Sequence, residues 1–319
     1  MLLPPEADMA AAAKEIPCDA VFVTRPNFLG LVEPLPRADV PVLVDAAHGA
    51  HFSWWERPES ALRAGADCAV ESAHKTLGAY TGGAWLHLRR AGDEPRLRRM
   101  LRMVSTSSPS FLILRSLDEA RAFMDEHGRE ALARLTNWCE DARGKLAALG
   151  FPCPSLGDPT RLYIRTDAKG LTGWEALSQL SELGVEMEMG DARGVVAIGS
   201  VYDRAEDYAA LVEAFARLRP GPGAPEFPEP AYGVRALRPR AAALGKTRLV
   251  PLKEAAGEIA ARAVGAYPPG CATAAPGERL TEDCVEFLLA SRAAGATLFG
   301  AEGGLVEVVD ANEGANGDV

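Results

Sequence analysis

VLVDAAHGAHF at residues 42–52 and ESAHKTL at residues 71–77 decide how this chain is read. In the first stretch an apolar run breaks off at Asp45 and is followed by small residues and His48; in the second, another run ends in Ser72, Ala73, His74 and Lys75. Short apolar runs bounded by Gly, Pro or polar residues read as buried strands of a parallel sheet, although such a run alone does not exclude a helical segment. Counting outward, AVFVT at 20–24, PVLVD at 41–45, DCAVES at 67–72 and AWLHL at 84–88 are four such runs. PESALRAG at 58–65 has the composition of a short crossover helix closed by glycine. The alternation predicts an α/β layer with a mostly parallel sheet and flanking helices. Asp45 and Lys75 then stand at the carboxyl ends of neighbouring strands, the edge at which open α/β sheets bind ligands.

Past residue 88 the pattern turns helical. Residues 94–104 are arginine-rich, and 116–149 carry apolar residues at helical spacing with few breakers before Gly150. RLYIR at 161–165 and VVAI at 195–198 read as strands, 172–183 and 205–218 as helices. PGPGAPEFPEP at 220–230 is the plainest connector in the chain. Beyond it, 252–264 reads as a helix, YPPG at 267–270 as a rigid turn, and Thr281 as the N-cap of a helix running to Arg292. The expected division is an α/β part over 1–150, a small α+β continuation over 151–219, the Pro/Gly linker over 220–230, an α+β C-terminal domain over 231–309 and a disordered acidic tail over 310–319.

The formal net charge of −10 disfavours a nucleic-acid footprint and fits a small-molecule partner. The six cysteines include no C-x-x-C pair, so neither a disulfide framework nor a zinc site is expected, and a reducing cytoplasm is the simplest home. The opening residues lack a positive n-region and are broken by Pro4, Pro5, Glu6 and Asp8, which is unlike a secretory signal. No stretch reaches the roughly 18 apolar residues of a membrane span, so no membrane partner is expected.

An amine and a carboxylate on neighbouring strand ends suit pyridoxal 5'-phosphate. The amine forms a Schiff base, and the carboxylate keeps the pyridine nitrogen protonated, which makes the ring an electron sink. Ser72 and His74 flank the lysine and offer hydrogen bonds to a phosphate, while Ala47 is small enough to let a flat ring approach the backbone. Lysine is scarce: besides Lys75 there are only Lys14, Lys145, Lys169, Lys246 and Lys253 among many arginines, which favours a role for its amine. Each residue also has a plainer reading. A lysine after a strand is more often solvated than catalytic, an Asp at a strand end often caps a turn, and His48 with His51 has no third ligand in view, so no metal is expected.

DAAHGAHF with SAHKTL resembles the ornithine/lysine/arginine decarboxylase family, fold type I pyridoxal-phosphate enzymes, in particular its shorter bacterial members. The likeness continues through STSSPSFL at 105–112 and SLDEARA at 116–122, and returns in PLKEAAGEIA at 251–260 and YPPGCATAAPGE at 267–278. The resemblance implies that Lys75 is the Schiff-base lysine, that Asp45 pairs with the pyridine nitrogen, and that Ala47 packs on one ring face. It places His48 near the phenolic oxygen or the substrate and gives Ser72 and His74 the phosphate. Thr106 and Ser107, in the TSSPS loop, are implied to reach a neighbouring subunit's cofactor in a homodimer. The implied reaction is loss of the α-carboxylate from arginine, lysine or ornithine.

The family's cofactor domain normally begins well upstream of this Met1, so the chain is expected to lack a phosphate loop and a ring-stacking histidine, and to bind cofactor and turn over poorly alone. A non-catalytic fragment or subunit is one alternative. Another fold type I activity, an aminotransferase or a lyase, is a second, since the Asp and Lys pair is shared across that superfamily. Smaller departures are Gly82-Gly83 after Thr81, Arg115, Glu258 and the CATAA before Pro276. Any of them is expected to loosen a substrate pocket.

Overall fold

Each of the four apolar runs forms a strand, one or two residues shorter than the run itself. In the computed structural model, which describes residues 11, 14, 18–223, 227–267 and 270–310, these are β1 (Val21–Thr24), β2 (Val42–Asp45), β3 (Cys68–Glu71) and β4 (Trp85–Leu88). They make one sheet in the order β1-β2-β3-β4. The first two pairings are parallel, and the register sets Thr24, Asp45 and Val70 side by side at the carboxyl edge.

β4 departs from the parallel expectation by running antiparallel to β3. A parallel return needs a crossover of a dozen or more residues that carries the chain to the opposite edge. After β3 the chain instead makes one short helix, α2 (Ala73–Thr76), and stays at the carboxyl edge, where the His74 amide donates to the Gly83 carbonyl at 3.3 Å. It therefore re-enters the sheet from that edge. The earlier crossover matches its reading: α1 (Ala61–Ala64) ends at Gly65, whose φ of 122° permits the closing bonds to Ala61 and Leu62.

One face of this sheet is covered. Val42, Val44, Ala46, Ala61, Ala66 and Ala69 pack into a buried cluster with Val23, Leu35 and Leu62 at its margin. Alternation sends Phe22, Thr24, Asp45 and Val70 to the other face, where Phe22 is 64% and Val70 43% exposed among the described residues.

Two further helices follow, α3 (Glu94–Val104) and α4 (Phe111–Ala148). α4 begins five residues before its expected start, because Ser110 supplies the N-cap by accepting from the Ile113 amide. Its buried stripe runs Ser116, Ala120, Met124, Gly128, Ala131, Leu135, Cys139, Ala142 and Leu146. α3 buries no residue at all.

The described chain divides into two compact units. One comprises Met1–Leu149, Cys153–Ile164 and Val196–Ala216, and holds the sheet just described; the other comprises Gly150–Pro152, Arg165–Val195 and Arg217–Val319. In the second, Thr172 and Glu175 form a full capping box on the helix Gly173–Glu182. Val264–Tyr267 lies between Ala272–Ala274 and Thr297–Phe299, and Thr247–Pro251 pairs with Leu305–Val309, all antiparallel. The helix Glu282–Ala293 is capped by the Thr281 hydroxyl, as read from sequence.

The helix expected over 252–264 does not form. Only a turn, Leu252–Glu254, is helical. Downstream of it the backbone is claimed by distant segments: the Ala260 amide donates to Glu278, Ala261 to Glu307, and Ile259 accepts from Val309. Gly257, at φ 84°, turns the chain into that pairing. Pro268 and Pro269 of the expected YPPG turn, part of the 220–230 connector and the tail from residue 311 lie outside the described residues. No helix of the described residues is long and apolar enough to cross a membrane.

Candidate active site

Asp45 is the last residue of β2, half-buried, with Oδ1 accepting from the Ala47 amide at 2.9 Å. That contact folds residues 45–47 into an Asx turn, the plainer role open to a strand-end Asp. One carboxylate oxygen is used in this way. The Ala46 amide continues the β2–β3 pairing by donating to Val70 at 2.8 Å, and a 3-10 turn, Ala50–Trp54, follows. His48 is thereby presented at the carboxyl edge.

Lys75 sits in α2, directly after β3, with its side chain exposed. Its amide donates to the Ser72 carbonyl at 3.0 Å, while the Ser72 hydroxyl makes no capping bond. His74 is anchored by Nδ1, which donates to the Gly83 carbonyl at 2.9 Å and leaves Nε2 as the ring atom able to meet a ligand. The Gly82-Gly83 departure has a structural cause here. Gly82 adopts φ 92°, and a Cβ on Gly83 would stand 3.0 Å from the Tyr80 carbonyl oxygen and 3.1 Å from Leu117 Cδ2. The pair builds the turn that holds His74, a role distinct from loosening a pocket.

The structure joins the two stretches through side chains. Lys75 Nζ lies 3.3 Å from His48 Nε2. The other ring nitrogen, Nδ1, accepts from Arg161 at 3.2 Å. Behind Arg161 is Asp158, fully buried, whose Oδ1 accepts from the Thr160 hydroxyl at 2.7 Å, the Thr160 amide at 3.0 Å and His51 Nε2 at 3.3 Å. A second Arg161 nitrogen donates to the Phe28 carbonyl at 3.1 Å. His51 and His48, weighed together as ligands, are thus committed to different partners. Among the described residues no group of three or more His, Cys, Asp or Glu side chains is arranged to hold a metal ion.

Electrostatics follow the geometry. Burial, then the positive charges of Arg161 and Lys75, hold the His48 imidazole down to about 3, so the ring is neutral at ordinary pH. Burial alone would raise Asp158, but His51, Arg161 and Thr160 outweigh it and hold the carboxyl below its usual range. On the opposite sheet face, buried Glu71 stands 3.1 Å from His87 across β3 and β4. The angle falls short of a well-formed hydrogen bond, yet contact with the carboxylate, against the opposing effect of burial, raises the His87 value.

Thr106 and Ser107 take no part in these hydrogen bonds. Both are exposed in the loop between α3 and α4, where the Thr106 hydroxyl accepts from the Ser108 amide at 3.1 Å. No described hydrogen bond links them to Asp45, His48, Ser72, His74 or Lys75. Conversely, sequence reading missed Asp158, Thr160 and Arg161, whose only signal was a charged Arg at the head of an apolar strand.

Residues 25–152 match the family described as Orn/Lys/Arg decarboxylase, major domain, and residues 227–314 match Orn/Lys/Arg decarboxylase, C-terminal domain. The chain belongs to the Orn/Lys/Arg decarboxylase family. An arginine decarboxylase of Bacillus subtilis is 32% identical over 317 residues, covering 91% of this chain and 65% of that one. An arginine decarboxylase of Halalkalibacterium halodurans is 32% identical over 312 residues, 88% of this chain and 63% of that one. The chain therefore spans about two thirds of these relatives. In fold it resembles the lysine decarboxylase LdcF of Francisella novicida, with a TM-score of 0.78 at 17% identity over 95% of this chain and 59% of that one. The fold is the fold type I arrangement with a C-terminal domain. Asp45, Ala47, His48, Ser72, His74 and Lys75 fall inside the major-domain match; Asp158 and Arg161 fall outside both matched segments.

Proposed function

We propose that this chain carries the lysine-bearing part of a pyridoxal 5'-phosphate site, and that the whole protein removes the α-carboxylate of a basic amino acid. The observation that carries this reading is the junction at one sheet edge of the Lys75 amine and the His48 ring, next to the strand that ends in Asp45. The donor set fits the cofactor group by group. Lys75 offers an amine to an aldehyde, Asp45 a carboxylate to a pyridinium nitrogen, and Ser72 and His74 a hydroxyl and an imidazole to a phosphate. Ala47 would leave room for a flat ring, and His48 would lie near its phenolic oxygen or the substrate. Bound pyridoxal phosphate supplies an electron sink for the pair released when a carbon–carboxylate bond breaks.

The chain's own contribution is to orient these groups. Asp45 is steadied by its Asx turn, His74 by Gly83, and His48 by Arg161, so the side chains meet a ligand without first being ordered. Arginine is the substrate to test first, since both sequence relatives bear that name while the lysine decarboxylase is alike in fold. The C-terminal family match favours a decarboxylase over another fold type I activity.

We take the site to be completed by further polypeptide. Among the described residues the sheet face that bears Asp45 is open at Phe22 and Val70, whereas sheets of this type are covered on both faces. A homodimer is the second part of the proposal. Met103, Val104, Phe111 and Leu112 are 67–84% exposed on either side of the Thr106–Ser107 loop, and an apolar surface around a polar loop is the form of a protein interface.

The test is reductive trapping. The protein is incubated with pyridoxal phosphate, reduced with borohydride, and digested for mass spectrometry. The adduct is expected on Lys75, with amine production from arginine in the complete enzyme. A label spread over Lys145, Lys169, Lys246 and Lys253 with none preferred would refute the assignment.

A further inference from the structure

We infer that Arg161 is a positioning residue: it commits His48 Nδ1 to accepting a hydrogen bond, so that Nε2 carries the ring hydrogen and His48 becomes a fixed donor aimed at the Lys75 nitrogen. The inference rests on the reading of Lys75 as the cofactor lysine for its purpose, but not for its geometry.

The argument is one of donor and acceptor inventory. A guanidinium has only N–H groups to offer and is not deprotonated in proteins. The ring nitrogen 3.2 Å from Arg161 must therefore present a lone pair. A neutral imidazole has one hydrogen, and a charged Lys75 is likewise only a donor. Lys75 is exposed and can turn its N–H groups to solvent whereas the buried Arg161 cannot, so the hydrogen sits on Nε2, the atom 3.3 Å from Lys75 Nζ. The doubly protonated ring would place an N–H against the guanidinium and a third positive charge between two others; burial and those charges hold its pKa near 3.

Arg161 is not free to turn away. Its side chain is 1% exposed, with Nε 4.0 Å from Asp158 Oδ2 and another nitrogen on the Phe28 carbonyl. Gly30, at φ 89°, lies so close to it that a Cβ there would stand 2.7 Å from Arg161 Cβ. Asp158 is itself held by Thr160 and His51. A buried ion pair thus reaches the site edge through one imidazole.

The chemical consequence concerns Lys75. A donor at Nε2 bonds the lysine nitrogen when that nitrogen offers a lone pair, which is the form that attacks a carbonyl. His48 orients that lone pair and transfers no proton, because its only other nitrogen is occupied by Arg161. Its role at the site is that of a director rather than a general base.

The experiment needs no cofactor. In protein labelled with nitrogen-15 histidine, two-bond nitrogen–proton correlations report the tautomer of each ring, and His48→Gln identifies the His48 signals among the five histidines. The expected result is the Nε2–H form, unchanged from about pH 8 to about pH 5, the interval in which an unperturbed histidine titrates. Arg161→Met is expected to give a mixture of tautomers and to move the titration up only by the share that the Arg161 charge supplied, since burial, the larger cause, remains. Since it leaves Asp158 buried without a counter-charge, the neutral pair Asp158→Asn/Arg161→Met serves if the single variant does not fold. Arg161→Lys, which restores a cationic donor, is expected to restore the Nε2–H form. An Nδ1–H ring in the unsubstituted protein, titration near the usual value of about 6.5, or an unchanged Nε2–H ring in the neutral pair would overturn the inference. Borohydride trapping in parallel separates the two readings: the expected tautomer without an adduct on Lys75 overturns the cofactor role alone.

Discussion

Removing the Asp158 carboxylate is expected to be among the most destabilising single changes in the sheet-bearing unit, although it lies outside both matched family segments. Asp158→Ala deletes an acceptor used by the Thr160 hydroxyl, the Thr160 amide and His51 Nε2. Three hydrogen bonds at a net of about 1–1.5 kcal/mol each amount to roughly 3–4.5 kcal/mol. The second route gives the same order: the substitution strands Arg161, 1% exposed, without its counter-charge, and breaking a buried pair from one side costs about 3–5 kcal/mol. The two describe the same contacts and are not added. Denaturant unfolding followed by tryptophan fluorescence is the assay, with Trp55 reporting locally because its ring lies 6.2 Å from that of His51.

The pH dependence carries a second signature. Asp158 is held below the usual carboxylate range in the folded chain, so its contribution is present above the unfolded value of about 3.9 and is lost as pH falls through the folded one. The stability difference between Asp158→Asn and the original protein should therefore be level from neutral pH down to about 5 and shrink only in stronger acid. A loss below about 1 kcal/mol for Asp158→Ala, the size of one ordinary hydrogen bond, would refute the buried-pair argument.

Gly83→Ala should cost about 1–3 kcal/mol by overpacking against Tyr80 and Leu117. It should also weaken cofactor binding, because the displaced Gly83 carbonyl holds His74; unaltered stability and affinity together would show that the turn tolerates a side chain. The His87–Glu71 pair predicts the opposite pH sign to Asp158. The folded His87 value is raised, so its contribution is full below the unfolded value of about 6.5 and fades as pH rises through the folded one. Glu71→Gln should flatten that slope in an unfolding series, and an equal slope in both proteins would count against the pair. Val104→Asp, at a side chain 84% exposed, should leave the fold intact and shift a homodimer toward monomer in light scattering, whereas an unchanged mass would move the interface elsewhere.

Much of the fold was legible because it rests on local pattern. The four strands were marked by apolar runs that stop at Asp45, Ser72 and polar or glycine boundaries, and α1 by a glycine that only an unusual φ requires. The helix Glu282–Ala293 appeared where the Thr281 cap placed it, and Gly173–Glu182 lies within the stretch 172–183 read as helical. The edge positions of Lys75, Asp45 and His48 were legible for a related reason. Each ends or follows a run that must be buried, so its own polarity identifies the sheet edge.

What local pattern misassigned is what distant backbone decided. Residues 252–264 have helical composition, yet their amides and carbonyls are taken by Glu278, Glu307 and Val309, which no window of a dozen residues contains. β4 turned antiparallel because the chain stayed at the carboxyl edge after α2, a matter of path and not of composition. The meaning of His48 depended most on tertiary structure. In sequence it is an imidazole after a strand, with no third ligand in view for a metal and placed by the family resemblance near the phenolic oxygen or the substrate, but with neither ring nitrogen assigned a role. Only the approach of Arg161, 113 residues away and held by a buried Asp158, assigns one ring nitrogen as acceptor and turns the other toward Lys75.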